Sequence, residues 1–158
     1  MYMAVVILII SAALFVFYVQ ATCQRILRRE FDREFFLPVV NANRLEFPFV
    51  RKALEVFDVP VDYGRFGMQV CCDFFALTYL LKNVCNARRR LSNDERLLWI
   101  YFHALFVVLI IAHALRFNKR SVVLKLTAIL EYFANVLGER LNTIRFGNMT
   151  ASDYLMGL

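Results

Sequence analysis

The clearest pattern in the sequence is an unbroken apolar run near the start of the chain. From Met3 to Val19 no side chain is charged, and the first charge is that of Arg25. A helix of about 20 residues covers about 30 Å, the thickness of the hydrocarbon core of a bilayer. No basic segment precedes the run, and it is longer than the apolar core of a secretory signal. We therefore predict a retained transmembrane anchor over residues 1–23.

The segment after the anchor mixes charged and apolar positions. Opposite charges recur three or four positions apart, a spacing that lets them pair along the surface of a helix. Leu27, Phe31 and Phe35 share another side of the same helix. The pattern predicts a charged amphipathic stalk that ends at Pro38 and is followed by a loop, over residues 24–47.

Helical periodicity continues and predicts an antiparallel helical bundle over residues 48–141. Pro48 suits the first turn of a short amphipathic helix, whose polar side carries Arg51, Lys52 and Glu55. Three longer helices are predicted after it, over residues 68–86, 92–117 and 121–141. We therefore predict an all-α fold in which one transmembrane helix precedes the bundle.

Two local signals set limits on these helices. Ser92 and Glu95 form a capping-box pattern, in which the serine caps the helix and the glutamate bonds back to the cap N–H. From residue 142 to residue 158 the sequence is polar and mixed. We predict that a helix begins at Ser92 and that residues 142–158 form a C-terminal tail in loop conformation.

The middle helix of the predicted bundle has no polar side. Leu97 to Leu115 is uncharged and apolar all round, which is typical of a membrane span or of the buried centre of a bundle. Trp99 and Tyr101 favour a span, because aromatic rings concentrate at membrane interfaces. Cations flank both ends, which argues against a span. The pattern favours the buried centre and leaves a second span over residues 97–115 open.

The net charge of +6 comes from cations that lie beside the apolar runs. Nucleic-acid binding would need basic side chains on one face with aromatic rings between them, so we exclude nucleic acid as a partner. Cations next to apolar runs bind anionic headgroups and fix orientation, which predicts membrane lipid as a partner. The predicted location is an inner or cytoplasmic membrane, with the N-terminus outside and the bulk of the chain in the cytoplasm. The cations concerned are Arg25, Arg28, Arg29, Arg88, Arg89 and Arg90.

The sequence offers few residues for catalysis. The four cysteines form no CxxC pair, and the chain has no phosphate-binding glycine loop and no paired carboxylates at a catalytic spacing. We predict neither an enzyme nor a metal site. Asp73 lies in an apolar stretch, where a carboxylate is usually paired, and we expect its partner to be an arginine of a neighbouring helix.

The middle helix carries both histidines of the chain. His103 and His113 lie about 15 Å apart along the axis, so they cannot share one metal ion. Each can separately ligate a haem or chlorophyll, which makes both candidate cofactor residues. The alternative is a structural hydrogen bond for each imidazole and no cofactor.

Five stretches resemble a known family: LRREF, NANRLEFP, RKALE, LTYLLKN and LKLTAILEYFANV. The family consists of short, uncharacterised bacterial proteins with one N-terminal anchor and a helical body. The resemblance implies a single anchor, and it implies no activity and no site residues.

These features predict a non-catalytic accessory or structural subunit of a larger membrane complex, an energy-converting one of the photosynthetic or respiratory kind. Its predicted partners are other membrane subunits. Two alternatives stay open. One is a tetrapyrrole-binding subunit that uses His103 or His113. The other is a membrane-tethered scaffold or regulatory module, which recruits a soluble partner through the tail and the side of Arg51 and Glu55.

Overall fold

The computed structural model describes residues 2–29, 31, 36–56, 62–84, 92–115 and 119–156, with the backbone only at 56, 84 and 144–156. Every regular element in these residues is a helix, so the predicted all-α fold is confirmed. The chain forms two compact units, residues 1–30 and 31–158. The helices are α1 (Tyr2–Leu27), α2 (Phe36–Asn43), α3 (Phe47–Val56), α4 (Tyr63–Val84), α5 (Asn93–Ala114) and α6 (Arg120–Met156).

The first unit contains α1, whose length and composition suit a membrane span. Its 26 residues measure about 39 Å, and its apolar side chains from Tyr2 to Tyr18 are exposed. Two other described helices are long and apolar enough to cross a membrane, α5 and residues 120–143 of α6. The described residues therefore form an all-α protein whose long apolar N-terminal helix is suited to span a membrane.

The predicted stalk helix is not continuous up to Pro38, and residues 30 and 32–35 of the predicted stalk lie outside the described residues. α1 ends at Leu27, and Pro38 lies in the first turn of α2 instead of ending a helix. Proline is tolerated in a first turn because the N–H that it lacks would have no partner within the helix.

α6 is the centre of the second unit, since it contacts α2, α3, α4 and α5. Leu126, Ile129, Phe133 and Leu137 of this helix are buried. In the most apolar window of α6, 67% of residues are buried, against 33% in α5. The prediction that the middle helix is the buried centre of the bundle is therefore wrong.

Other helices supply partners for the polar residues of α6. The Asn135 side-chain oxygen accepts a hydrogen bond from the backbone N–H of Phe36 in α2, at 2.9 Å. Glu131 forms an ion pair with Arg51 of α3. These bonds let α2 and α3 cover the polar side of α6, which explains how a helix with several polar residues is buried.

The helix starts signalled by Pro48 and Ser92 are confirmed. Pro48 is the second residue of α3. The backbone N–H of Ser92 donates to Glu95 Oε2 at 3.1 Å, just before the first residue of α5. Both signals depend on neighbouring residues only, which is why the sequence is sufficient to show them.

Two predicted limits are wrong. α4 begins at Tyr63, before residue 68, because the Asp62 carboxylate accepts hydrogen bonds from the N–H groups of Gly64 and Arg65 at 3.0 and 3.3 Å. α6 continues to Met156, so the tail is helical up to that residue. The tail sequence contains no proline, and a polar segment without proline can extend a helix that is already fixed by packing.

Candidate functional site

A cluster of phenylalanines holds α4, α5 and α6 together. The ring of Phe74 in α4 stacks on that of Phe102 in α5, with centroids 3.7 Å apart and planes 3° from parallel. Phe133 of α6 meets the same Phe74 ring edge-on, at 5.9 Å. All three side chains are buried, so this cluster fixes which sides of α4 and α5 point inward.

The opposite sides of α4 and α5 are apolar and exposed. Phe75 of α4 is 59% exposed and Ile110 of α5 is 57% exposed. A large contiguous apolar surface marks a site of interaction with protein or membrane. We call this surface the α4–α5 face. Its members are Met68, Phe75, Tyr79, Trp99, Ile100, Val107, Val108, Ile110, Ile111 and Leu115.

A groove of about 780 Å³ opens on this face, where α4 ends and α5 begins. Its volume lies within the range of about 300–1,000 Å³ that is common for ligand sites. Two exposed cations border it, Lys82 and Arg96, and neither pairs with a carboxylate in the part of the chain that the structure describes. We call it the basic groove. It is lined by Phe75, Thr78, Tyr79, Lys82, Arg96, Trp99 and Ile100.

The spacing of aromatic and basic residues in the sequence contains a signal for this groove. Tyr79 precedes Lys82 by three positions, and Trp99 follows Arg96 by three positions. Residues three apart share one side of a helix, so each helix carries an aromatic ring and a cation on the same side. Only the packing of α4 against α5 brings the two pairs into one groove.

At the other end of the α4–α5 face the two helices approach closely at Gly67. A Cβ atom added to this buried glycine would lie 3.2 Å from Leu109 Cδ2. A smaller groove, of about 380 Å³, lies beside it and includes His113 in its lining. The absence of a side chain at Gly67 thus lets α4 and α5 pack together.

The two histidines have different surroundings. Nδ1 of His103 lies 2.8 Å from the Trp99 carbonyl oxygen, and the centroids of the His103 and Trp99 rings are 4.1 Å apart. Nδ1 of His113 lies 3.2 Å from Lys119 Nζ. No group of three or more metal-ligating side chains occurs among the residues that the structure covers. Ligation of a haem or chlorophyll by either histidine therefore stays a prediction.

Asp73 stabilises the start of α3 and does not pair with an arginine. Asp73 is 8% exposed, and its carboxylate accepts hydrogen bonds from the backbone N–H groups of Glu46 and Phe47, at 2.8 and 2.7 Å. The expected Asp73–arginine pair is therefore wrong. The partners of Asp73 are backbone groups of a distant segment, and nothing in the sequence marks them.

Arg51 forms ion pairs with two glutamates of the bundle. It pairs with Glu131 of α6 and, at 3.0 Å, with Glu55 of its own helix. Partial burial lowers the pKa of the Arg51 guanidinium, but the bonds and charges of Glu55 and Glu131 outweigh this effect and raise the pKa above its ordinary value. The guanidinium stays charged and contributes to the packing of α3 against α6.

The cations predicted to face lipid fall into two groups. Arg25, Arg28 and Arg29 are exposed at the C-terminal end of α1, where α1 leaves its apolar stretch. Arg88, Arg89 and Arg90 lie outside the described residues. Of the cysteines, Cys23, Cys71 and Cys72 are free, and Cys85 also lies outside the described residues.

Comparison with known proteins identified no relative of this chain. No protein-family model matches the chain, and neither a curated protein nor a solved structure matches it. The class of protein is therefore defined by the fold: an all-α helical bundle in which three described helices are long and apolar enough to span a membrane. The resemblance to short bacterial anchored proteins stays a prediction.

Proposed function

We propose that this protein is a non-catalytic accessory subunit of a membrane protein complex, and that its α4–α5 face lies in the bilayer against a neighbouring subunit. The observation that carries the proposal is the exposed apolar side of α5 between Trp99 and Leu115. Burial of apolar surface contributes about 25 cal/mol per Å², so an aqueous location of this face costs considerable free energy. A bilayer or an apolar partner removes that cost.

The two ends of α5 support a location in the membrane. The axial distance from Trp99 to Leu115 is about 24 Å, close to the thickness of a hydrocarbon core. Tyr79 and Trp99 lie near one end. At the other end Lys119 lies over the Tyr63 ring, with Nζ 5.6 Å from its centroid. Aromatic rings and cations at both ends of an apolar band are typical of membrane interfaces.

The buried polar groups support a structural role. Asp73, Glu95 and Asn135 each form hydrogen bonds that join one helix of the bundle to another segment. Satisfied polar bonds of this kind specify a single packing arrangement. A rigid body with an apolar outer face suits a subunit whose work is contact.

The proposal is narrower than the prediction from the sequence. An energy-converting complex, a bound tetrapyrrole, an outside N-terminus and the inner or cytoplasmic membrane stay predictions. Nothing in the described residues favours one kind of membrane complex over another.

Photo-crosslinking tests the proposal. A benzoylphenylalanine at Val107, on the exposed side of α5, is activated in intact membranes that contain the full chain. We expect one protein adduct of constant mass, because a subunit interface presents the same neighbour in every copy. The matched position is Lys52, exposed on α3, which should give no such adduct. Crosslinks from Val107 to lipid only, together with migration as a monomer on a native gel, would contradict the proposal.

A further inference from the structure

We propose that the basic groove binds one anionic phospholipid, with its phosphate between Lys82 and Arg96 and one acyl chain against Phe75 and Ile100. This inference rests on the membrane location of the α4–α5 face and is independent of any partner subunit.

The walls of the groove suit an acyl chain. Phe75 and Ile100 are each 59% exposed, and the side chains that continue from them along α5 are apolar. A hydrocarbon chain that extends beyond the groove therefore stays in contact with apolar side chains of the α4–α5 face. Contact between this apolar surface and water is unfavourable, and a bound acyl chain removes the surface from water.

The cations suit a phosphate. Lys82 lies in the last turn of α4 and Arg96 in the first turn of α5, so they approach the groove from two helices. A guanidinium binds phosphate with two parallel hydrogen bonds, and an ammonium adds a point charge. Because neither cation pairs with a described carboxylate, both charges are available to a headgroup.

The aromatic rings place this end of the groove at headgroup depth. Tyr79 and Trp99 line the same groove as the two cations. Tyrosine and tryptophan prefer the membrane interface, where lipid phosphates also lie. Lys119 lies beside His113 and Tyr63 of the smaller groove but is not part of its lining, whereas two cations line the basic groove. Charge complementarity therefore selects the basic groove for an anionic lipid.

Trp99 is the single tryptophan of the chain and reports directly on the groove. The full chain is placed in phosphatidylcholine nanodiscs that contain a rising fraction of a lipid brominated on its acyl chains. The brominated lipid is phosphatidylglycerol in one series and phosphatidylcholine in the other. Bromine quenches tryptophan fluorescence on contact. We expect the brominated phosphatidylglycerol to quench Trp99 at a mole fraction roughly tenfold lower than the brominated phosphatidylcholine, since two cations attract its headgroup.

A charge-matched pair of variants tests the role of the cations. Lys82→Gln/Arg96→Gln should remove the preference for phosphatidylglycerol. Lys52→Gln/Arg65→Gln removes the same charge from exposed positions outside the groove and should retain it. A preference that survives the first double variant, or is lost in both, overturns the proposal.

The remaining outcomes separate this proposal from the proposed function. Equal quenching by both brominated lipids overturns the phospholipid site and agrees with a face that lies in the bilayer. Quenching by neither lipid overturns the site and the membrane location together. If soluble glycerol phosphate alone changes Trp99 emission at the same concentration as the lipid, the groove is an anion site without an acyl chain, and the proposal is wrong.

Discussion

Glu95 of α5 and Arg140 of α6 form an ion pair inside the bundle. Glu95 is 3% exposed, and its second carboxylate oxygen accepts the N–H of Ser92 at the start of α5. One carboxylate thus caps α5 and joins it to the central helix. The position of α5, and with it the α4–α5 face, depends on this side chain.

Replacement of Glu95 by glutamine should destabilise the protein strongly. The amide still accepts the Ser92 N–H, but the carboxylate charge that pairs with Arg140 is lost, and removal of one partner of a buried pair costs about 3–5 kcal/mol. Unfolding of the full chain in detergent by titration with a denaturing surfactant measures the loss. Glu55→Gln, in an exposed pair with Arg51, should lose about 1 kcal/mol or less. Equal effects of the two substitutions would show that Glu95 is not buried.

The Asp73 side chain should stabilise the start of α3, and an asparagine at this position should keep part of that stabilisation. Asp73→Ala leaves the N–H groups of Glu46 and Phe47 without their acceptor, and the buried Phe47 group alone should cost about 1–3 kcal/mol. Asp73→Asn keeps an acceptor oxygen and should lose less. The same unfolding titration separates them, with the exposed Asn83→Ala as a neutral reference. Asparagine and alanine variants of equal stability would exclude the capping role.

Gly67 should tolerate one methyl group and no more. In Gly67→Ala the gain in helix propensity, about 1 kcal/mol, offsets the shift that the new Cβ requires of Leu109 Cδ2, so we expect a net change within about 1 kcal/mol. Gly67→Leu overpacks the contact and should cost about 1–3 kcal/mol. Thermal unfolding in detergent measures both. A leucine variant as stable as the native chain means that α4 and α5 do not meet at Gly67.

We expect the protein purified from its native membrane to carry no visible absorption band. This expectation follows from the structural alternative for the histidines, in which each imidazole has a protein partner: Nδ1 of His103 lies beside the Trp99 carbonyl oxygen and Nδ1 of His113 beside Lys119 Nζ. A contact at Nδ1 leaves Nε2 able to ligate a metal, so the absorption of the protein decides between the two alternatives. An absorption scan of the purified chain is sufficient as a test. A band that follows the protein and disappears in His103→Ala or His113→Ala would support the tetrapyrrole alternative instead.

The sequence predicted local features well because their causes lie within a few residues. Pro48 and the pair Ser92 and Glu95 marked helix starts that the structure confirms. The cap at Asp62 is harder to recognise, because Asp62 lies near Pro60 and Gly64, and these residue types indicate a break in a helix. A capping residue can therefore be recognised from the sequence even where glycine and proline lie near it.

The arrangement of the helices was not predictable in the same way. The apolar pattern of α5 is the same whether protein or lipid covers the helix, so periodicity did not place it at the edge of the bundle. The sequence does not mark α6 as the central helix either, because the partners of its polar residues Glu131 and Asn135, which are Arg51 and the Phe36 N–H, come from distant segments. Lys82 and Arg96 likewise line one groove only because α4 packs against α5.

The central claim is that the α4–α5 face lies in the hydrocarbon of a membrane, and a spin label at Val107 tests it most directly. The label is attached to a cysteine at this position, in a full chain whose native cysteines are replaced by alanine. The purified chain is reconstituted in vesicles without a partner subunit, so that lipid alone covers the face. The account predicts high collision rates with oxygen and low rates with a water-soluble nickel complex. A label at Lys52 should show the reverse. Collision of the Val107 label with the nickel complex as often as the Lys52 label would contradict the account.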